Sequence, residues 1–370
     1  MLKHHAMRWA AGILVATATA GQCGPLRPVA PDDPRVEYAG YVRKEIVPSP
    51  DQPGAKLARF DRILEMAGTG YRWDNPGVSI RFRTDATTVE ADLHYSDRHQ
   101  SKTARNGSGV WAVDGALKPA QAFQTRAAGV QRAPESVTVA LAGGEAPGFH
   151  DYEIFLPYGD AVDFAGLRVN PEARFEAAKP EPAVRYVAYG DSITHGFTAS
   201  AVDKTYPFLV GRKKGWRTIN LGLGGRSSGF SPSDAGVVGA LKPTLVTVLL
   251  GVNDWQGGVP LERYRANLEG FLTRFRVAQP ETPLYLITPL WVAPAWNPPA
   301  KTADLEQYRQ VLRDLAAARQ DPNLHLIEGP ALIDHDPALF DRVAVHPNDK
   351  GFAMMAERLA QQLDNPERRP

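Results

Sequence analysis

The chain contains a single cysteine, Cys23, in 370 residues. One thiol cannot form an intrachain bridge, so a disulfide framework is excluded and stability must come from packed apolar cores. Nor is there an excess of charge of either sign. Basic side chains number 42 against 41 acidic ones, a formal net charge of +1. That balance gives no support to a nucleic-acid partner or to an acidic membrane surface. No apolar run reaches the length needed to cross a bilayer. The glycines at 222–225 are not followed by the Lys-Ser/Thr that completes a phosphate-binding loop. The pairs His4 and His5, and His335 and Asp336, lack the spacing of metal ligands. Neither a metal nor a cofactor is expected, and no internal repeat is found.

What is present begins with a targeting pattern. Lys3 and Arg8 precede a short run of apolar and small residues, Trp9 to Ala20, that ends in Ala18-Thr19-Ala20. Positive charge, a short apolar stretch and an A-x-A site read as a signal peptide over 1–20, with a mature start at Gly21. A secreted or periplasmic location follows. Cys23 as a lipid anchor is disfavoured, because the large polar Gln22 stands directly before it. An unreactive thiol in a leader is the preferred reading, and export rests on the leader alone.

At roughly 150 residues per domain, the length suggests two. Residues 21–36 are Pro-rich and read as a flexible lead-in. Period-two alternation follows at Val78, Ile80 and Phe82, at Val89, Ala91, Leu93 and Tyr95, at Val137, Val139 and Leu141, and at Tyr152, Ile154 and Leu156. Gly, Pro and Asn clusters separate these runs, which predicts a small all-β domain, a sandwich or jelly roll, over 37–170. The charged stretch 171–183 reads as a linker. From Val184 strands alternate with helical patterns. Strands are expected at 184–189, 216–221, 245–250, 284–287 and 324–327, and helices at 261–277, around Leu305 to Leu315 and at 352–363. This alternation predicts a parallel sheet with helices on both faces.

Four blocks in the second half carry chemistry. Tyr189-Gly190-Asp191-Ser192-Ile193 puts a serine just past the first strand, at the edge where ligands bind in such sheets. A serine opening a helix has a backbone N–H with no intrahelical partner, free to donate to an oxyanion. The bland alternative is that Asp191 or Ser192 is only a helix cap. Asn220-Leu221-Gly222-Leu223-Gly224-Gly225 follows the second strand and can bring bare backbone close to a ligand. Gly251-Val252-Asn253-Asp254 ends the most apolar strand, where the Asn253 amide can aim at the same point as the Ser192 N–H. The alternative there is a turn in which Asn253 or Asp254 bonds its own backbone. His346-Pro347-Asn348 stands before the last helix, and a neutral imidazole there can take a serine proton and return it to a leaving group.

In this order, the four blocks resemble those of SGNH (GDSL) hydrolases over about 184–365. The resemblance implies a flavodoxin-like three-layer α/β domain and a serine esterase that needs no cofactor. Its nucleophile would be Ser192, its base His346, and its oxyanion hole the N–H groups of Ser192 and Gly225 with the Asn253 side chain. The β-domain in front is similar in architecture to the two-domain branch that includes carbohydrate esterase family 2, whose members remove acetyl groups from plant polysaccharides. A short acyl ester, leading with acetylated carbohydrate as small molecule or polysaccharide, is thus the expected substrate. A lipid esterase or thioesterase, or a carbohydrate-binding protein with a decayed site, are the alternatives.

One position departs from the family. The acid expected three residues before the base is replaced by Val343, and the nearest upstream acid is Asp341. Either the loop bulges so that Asp341 completes a triad, or a backbone carbonyl orients the ring and a Ser–His dyad works alone. His195 is a candidate pocket residue. Trp255, Trp291 and Trp296 are candidate sugar platforms, each weighed against a role as a packing anchor.

Overall fold

The computed structural model describes residues 25–62, 71–98, 108–118, 123, 134–142, 146–224, 229–293, 303–341 and 345–363. The anticipated signal peptide, Cys23, Gly225, Trp296 and Val343 lie outside them. Among the described residues no helix is long and apolar enough to cross a membrane.

The N-terminal strands are β1 (Arg27–Val29), β2 (Glu37–Ala39), β3 (Arg43–Pro48), β4 (Lys56–Asp61), β5 (Ser79–Thr84), β6 (Val89–Tyr95), β7 (Val110–Val113), β8 (Ala116–Leu117), β9 (Glu135–Ala142), β10 (His150–Phe155), β11 (Val162–Val169) and β12 (Phe175–Glu176). They form two antiparallel sheets, one ordered β3-β4-β11-β6-β9 with β1 on β11, the other β12-β5-β10-β7-β8 with β2 on β5. The four alternating runs of the sequence are β5, β6, β9 and β10. Their inward positions, among them Ile80, Phe82, Ala91, Leu93, Tyr152 and Ile154, join one buried cluster between the sheets. Phe82 and Tyr152, paired across β5 and β10, stack with ring centroids 5.1 Å apart.

Two stretches differ from expectation. Arg27–Val29, within the anticipated lead-in, is a short strand on β11. Its Pro28 is tolerated because a short strand at a sheet edge does not need every N–H. Phe175–Glu176, within the anticipated linker, pairs with β5 and lays the Phe175 ring against Phe82 at 6.0 Å. One apolar side chain next to an open sheet edge is enough to recruit an otherwise polar segment. Strand β11 was not visible as an alternating run because a bulge at Gly166 (φ 129°) shifts its register against β6.

The second half contains β13 (Arg185–Gly190), α1 (Ser192–His195), α2 (Tyr206–Lys214), β14 (Arg217–Gly222), α3 (Asp234–Ala240), β15 (Leu245–Leu249), α4 (Val252–Gly257), α5 (Leu261–Ala278), β16 (Leu284–Ile287), α6 (Leu305–Arg319), β17 (Leu324–Ile327) and α7 (Asp349–Leu363). The sheet is wholly parallel, ordered β14-β13-β15-β16-β17. Strands β15 and β16 are buried at every residue, as they must be when helices cover both faces. The fold is therefore α/β, with a flavodoxin-type strand order behind an all-β domain. In that order the chain reverses direction across the sheet at β13, so the crevice beyond the carboxyl ends of β14, β13 and β15 is the natural ligand site.

The two parts share a core. Tyr71, Phe155 and Tyr158 of the β-domain belong to the same buried cluster as Tyr189, Phe197 and Phe208. Phe155 and Phe208 meet edge to face at 4.8 Å, and the Tyr158 hydroxyl donates to Ala199 O at 2.7 Å.

Candidate active site

Ser192 opens α1 directly after β13. Asp191 is the cap, its carboxylate accepting from the Ile193 N–H at 2.9 Å. The capping role thus falls to Asp191, and the Ser192 hydroxyl is left for other work. Glycine is required at 190 by close approach: a Cβ there would lie 2.0 Å from Thr194 Oγ1 and 2.7 Å from Leu249 O. The turn is that tight because β13 sits between two parallel neighbours.

His346 comes from 154 residues further along the chain, and its Nε2 lies 2.8 Å from Ser192 Oγ. Several bonds hold it there. The Thr198 hydroxyl donates to Pro347 O at 2.8 Å, and Ser200 donates through both N–H and hydroxyl to the Asp349 carboxylate at 2.8 and 2.5 Å. Thr198 has φ 75°, an uncommon conformation for a branched residue, at the point where the nucleophile loop meets the histidine loop. The Phe197 ring lies 5.6 Å from the His346 ring.

The loop before His346 is closed on itself. Phe340 and Pro347 form an antiparallel bridge, and the Asp341 N–H donates to His346 O at 2.8 Å. Asn348 acts as its clasp. Its side-chain N–H groups reach Ala338 O and Phe340 O, while its Oδ1 accepts from the N–H groups of Lys350 and Gly351 at the start of α7. This closure carries the Asp341 carboxylate to 3.5 Å from His346 Nδ1, at the outer limit of a hydrogen bond. Burial pushes the Asp341 carboxyl up. The His346 imidazole beside it, with the backbone N–H groups of His346 and Val345, outweighs this and holds it below the usual carboxylate range.

Asn253 is the second residue of α4, just beyond β15. Its side chain is half-buried, and its amide has no hydrogen-bond partner among the described residues. The Asp254 carboxylate reaches outside its own turn. It is fully buried and accepts from the Gly229 N–H, 25 residues away, at 3.0 Å. The third oxyanion candidate, Gly225, is outside the described residues. Gly222 packs so closely on α1 that a Cβ would lie 1.9 Å from His195 N, and the Asn220 side chain bonds both Thr194 O and the Gly222 N–H.

The remaining candidates fall elsewhere. His195 is fully buried behind the serine rather than lining a pocket. Trp255 is 4% exposed inside α4, a packing anchor and not a sugar platform, because the helix turns its ring into the core. Trp291 stacks flat on His335 at 5.2 Å and packs on Phe340, which buttresses the Asp341 loop. Sequence reasoning passed over Thr198, Ser200 and Asp349, and gave no role to Asn348. Nothing in their spacing marks them, although an Asn before a helical run is a recognisable cap.

Residues 188–354 match the GDSL-like Lipase/Acylhydrolase family. No curated protein matches the chain. Among solved structures it is similar to the salicylyl-acyltransferase SsfX3 from a tetracycline biosynthetic pathway, with 22% identity, 92% of this chain and 97% of that one covered, and a TM-score of 0.72. It is also similar to a putative GDSL-like lipase from Bacteroides ovatus, with 16% identity, 91% and 97% coverage and a TM-score of 0.68. A family two carbohydrate esterase from Clostridium thermocellum in complex with cellohexaose gives 17% identity, 89% and 98% coverage and a TM-score of 0.63. The likeness to these structures spans both domains and is one of fold.

Proposed function

The chain is a carboxylic ester hydrolase whose residues 188–354 form a GDSL-like lipase/acylhydrolase domain, and from that premise we propose that it cleaves short acyl esters through an acyl-enzyme on Ser192. The observation that carries this reading is the 2.8 Å contact between Ser192 Oγ and His346 Nε2 across 154 residues of sequence. Ser192 Oγ attacks the ester carbonyl while His346 Nε2 takes the hydroxyl proton. The negative charge on the carbonyl oxygen meets the N–H groups of Ser192 and Gly225 and the side chain of Asn253, where one such donor is worth about 3 kcal/mol in the transition state. Collapse expels the alcohol, which His346 protonates. His346 then deprotonates a water that attacks the acyl carbonyl, releasing the acid and regenerating the Ser192 hydroxyl. Asp341, ionised and beside Nδ1, keeps the ring in the tautomer that leaves Nε2 free to accept.

The substrate class we favour is an acetylated carbohydrate. Support comes from the two-domain architecture, similar to that of a family two carbohydrate esterase, and from the export pattern of residues 1–20, which would place the enzyme outside the cytoplasm. Ser192→Ala should lower release of p-nitrophenol from its acetate ester by on the order of 10⁴-fold or more. Full retained activity would remove Ser192 from the mechanism. Rates on acetylated xylan against longer-chain esters then decide the acyl and acceptor class, and a preference for long chains would favour a lipid esterase.

A further inference from the structure

Residues 197–202 run between α1 and α2, and hydrogen bonds hold them from two sides. One side is the β-domain. The Ser108 N–H donates to Ser200 O at 3.2 Å and the Val202 N–H donates to Ser108 O at 2.9 Å, so Ser108, just before β7, pairs in parallel with Ala201. Ser108 is itself tied down, because its neighbour Gly109 exchanges two backbone hydrogen bonds with Phe123, at 3.0 and 3.1 Å. Beside this bridge the buried Tyr158 hydroxyl donates to Ala199 O at 2.7 Å. The other side is the loop of the base. The Thr198 hydroxyl, 2.5 Å from its neighbour's Phe197 O, reaches Pro347 O, the carbonyl next after His346. Ser200 places its N–H and its hydroxyl on the two oxygens of Asp349. The carbonyls of Ala199 and Ser200 thus face the β-domain, whereas the side chains of Thr198 and Ser200 face the base. Between them stands the positive φ of Thr198, a strained conformation that persists only where the surroundings over-determine it.

We propose that the β-domain positions the base of the reaction, with Tyr158 as the positioning residue: its hydroxyl, together with the Ser108 bridge, fixes residues 197–202, and these in turn hold His346 Nε2 against Ser192 Oγ. This rests on the acyl-enzyme reading above and deepens it, since the β-domain then takes part in proton transfer. The physical reason is the origin of the reacting pair. Serine and histidine come from loops 154 residues apart, so their 2.8 Å contact is only as good as the packing of one loop on the other. A misplacement of about 1 Å can cost on the order of 100-fold in rate. Residues 197–202 are the piece that touches both the base loop and the β-domain, and Tyr158 reaches them with a side chain that can be altered without touching the backbone.

Tyr158→Phe keeps the ring in the core and removes the hydroxyl. With p-nitrophenyl acetate it should lower kcat about 10-fold and leave KM little changed, because proton transfer and not substrate binding is disturbed. Asp349→Ala cuts the base loop from residues 197–202 on the other side and should lower kcat to a similar extent. The double variant should lose clearly less than the product of the two single losses, since both cuts act through the same segment. Phe155→Leu is the control for domain docking alone. Its ring packs on Phe208 across the same junction and makes none of these hydrogen bonds. It should lower the melting temperature at least as much as Tyr158→Phe does, yet keep kcat within about 2-fold of the wild type. Three results would overturn the positioning role while leaving the esterase reading intact: a Tyr158→Phe enzyme within about 2-fold of the wild type in kcat, single losses that multiply in the double variant, or an equal kcat loss in Phe155→Leu. If Phe155→Leu does not fold, the cycle of Tyr158 and Asp349 variants decides by itself. A wild type whose activity survives Ser192→Ala would instead remove the acyl-enzyme reading.

Discussion

The acid beside the base is where a single side chain decides most. Asp341 stands five positions before His346, and a loop running straight from one to the other would not fold the carboxylate back onto the ring. The Phe340–Pro347 bridge and the Asn348 clasp fold it back, to 3.5 Å from Nδ1. A contact of that length orients an imidazole less firmly than a short hydrogen bond does, although such bonds often tighten once substrate is bound. On the proposed mechanism, Asp341→Asn should lower kcat by about 100-fold, short of the ~10⁴ seen where the acid is indispensable. Steady-state rates on a soluble acetate ester check this, and a change below about 3-fold would mean that Ser192 and His346 work as a dyad. At this same scale the four blocks singled out Ser192 and His346 in the sequence, while Asp341 stood there only as one of two options. Its reach depends on bonds from Asn348 to carbonyls eight and ten residues back, and no local pattern announces those.

At the scale of elements, the site is made by the approach of β14 to α1. The loop after β14 can lie against the nucleophile turn only because Gly222 has no side chain. A methyl group there would overlap the His195 N and the Thr194 carbonyl carbon, backbone atoms that cannot swing aside. Gly222→Ala should cost on the order of 3 kcal/mol of stability through overpacking, read as a lower urea midpoint, and esterase activity should fall with it. An unchanged midpoint would show that the two elements are not pressed together as described. The strands and helices of this half were readable from hydrophobic pattern, since β15 and β16 are buried on both faces and the long helices carry one apolar face each. The β-domain was readable only in part. Strands that alternate cleanly stood out, whereas β11 with its bulge, and the two- and three-residue edge strands, did not. A short edge strand gains its hydrogen bonds from a partner far away in sequence, and its own composition needs no strand signature.

Across the whole molecule, the two domains meet around a histidine whose protonation folding disfavours. His195 has its pKa depressed by burial, whereas in the unfolded chain it titrates near 6.5. Below that value the unfolded chain binds a proton that the folded protein does not, so protons favour unfolding. The contribution is absent above about pH 7 and grows by about 1.4 kcal/mol for each pH unit below 6.5, until the folded pKa is reached. Urea unfolding at pH 5, 6 and 7 should therefore show the wild type losing more stability toward acid than His195→Asn, which cannot titrate there. Parallel pH profiles would mean that His195 takes up its proton in the folded state as easily as in the unfolded one. At the same junction Arg62, Asp74 and Tyr158 of the β-domain all reach the elements around Ser192.

The sequence by itself determined the class of the fold and singled out the serine and histidine that the proposed mechanism uses. Alternating and continuous apolar runs dictate strands and helices through local burial, and a serine, an asparagine and a histidine placed after successive elements of a parallel sheet must gather at its carboxyl edge. The tertiary structure alone decided that Asp341 lies beside His346, that Trp255 is buried, that Arg27–Val29 and Phe175–Glu176 join the sheets, and that His195 links the β-domain to the glycine loop. Each of these is a contact between segments separated by a folded loop or by a whole domain. Such contacts are set by how finished elements pack, and the residues that make them need carry no mark along the chain.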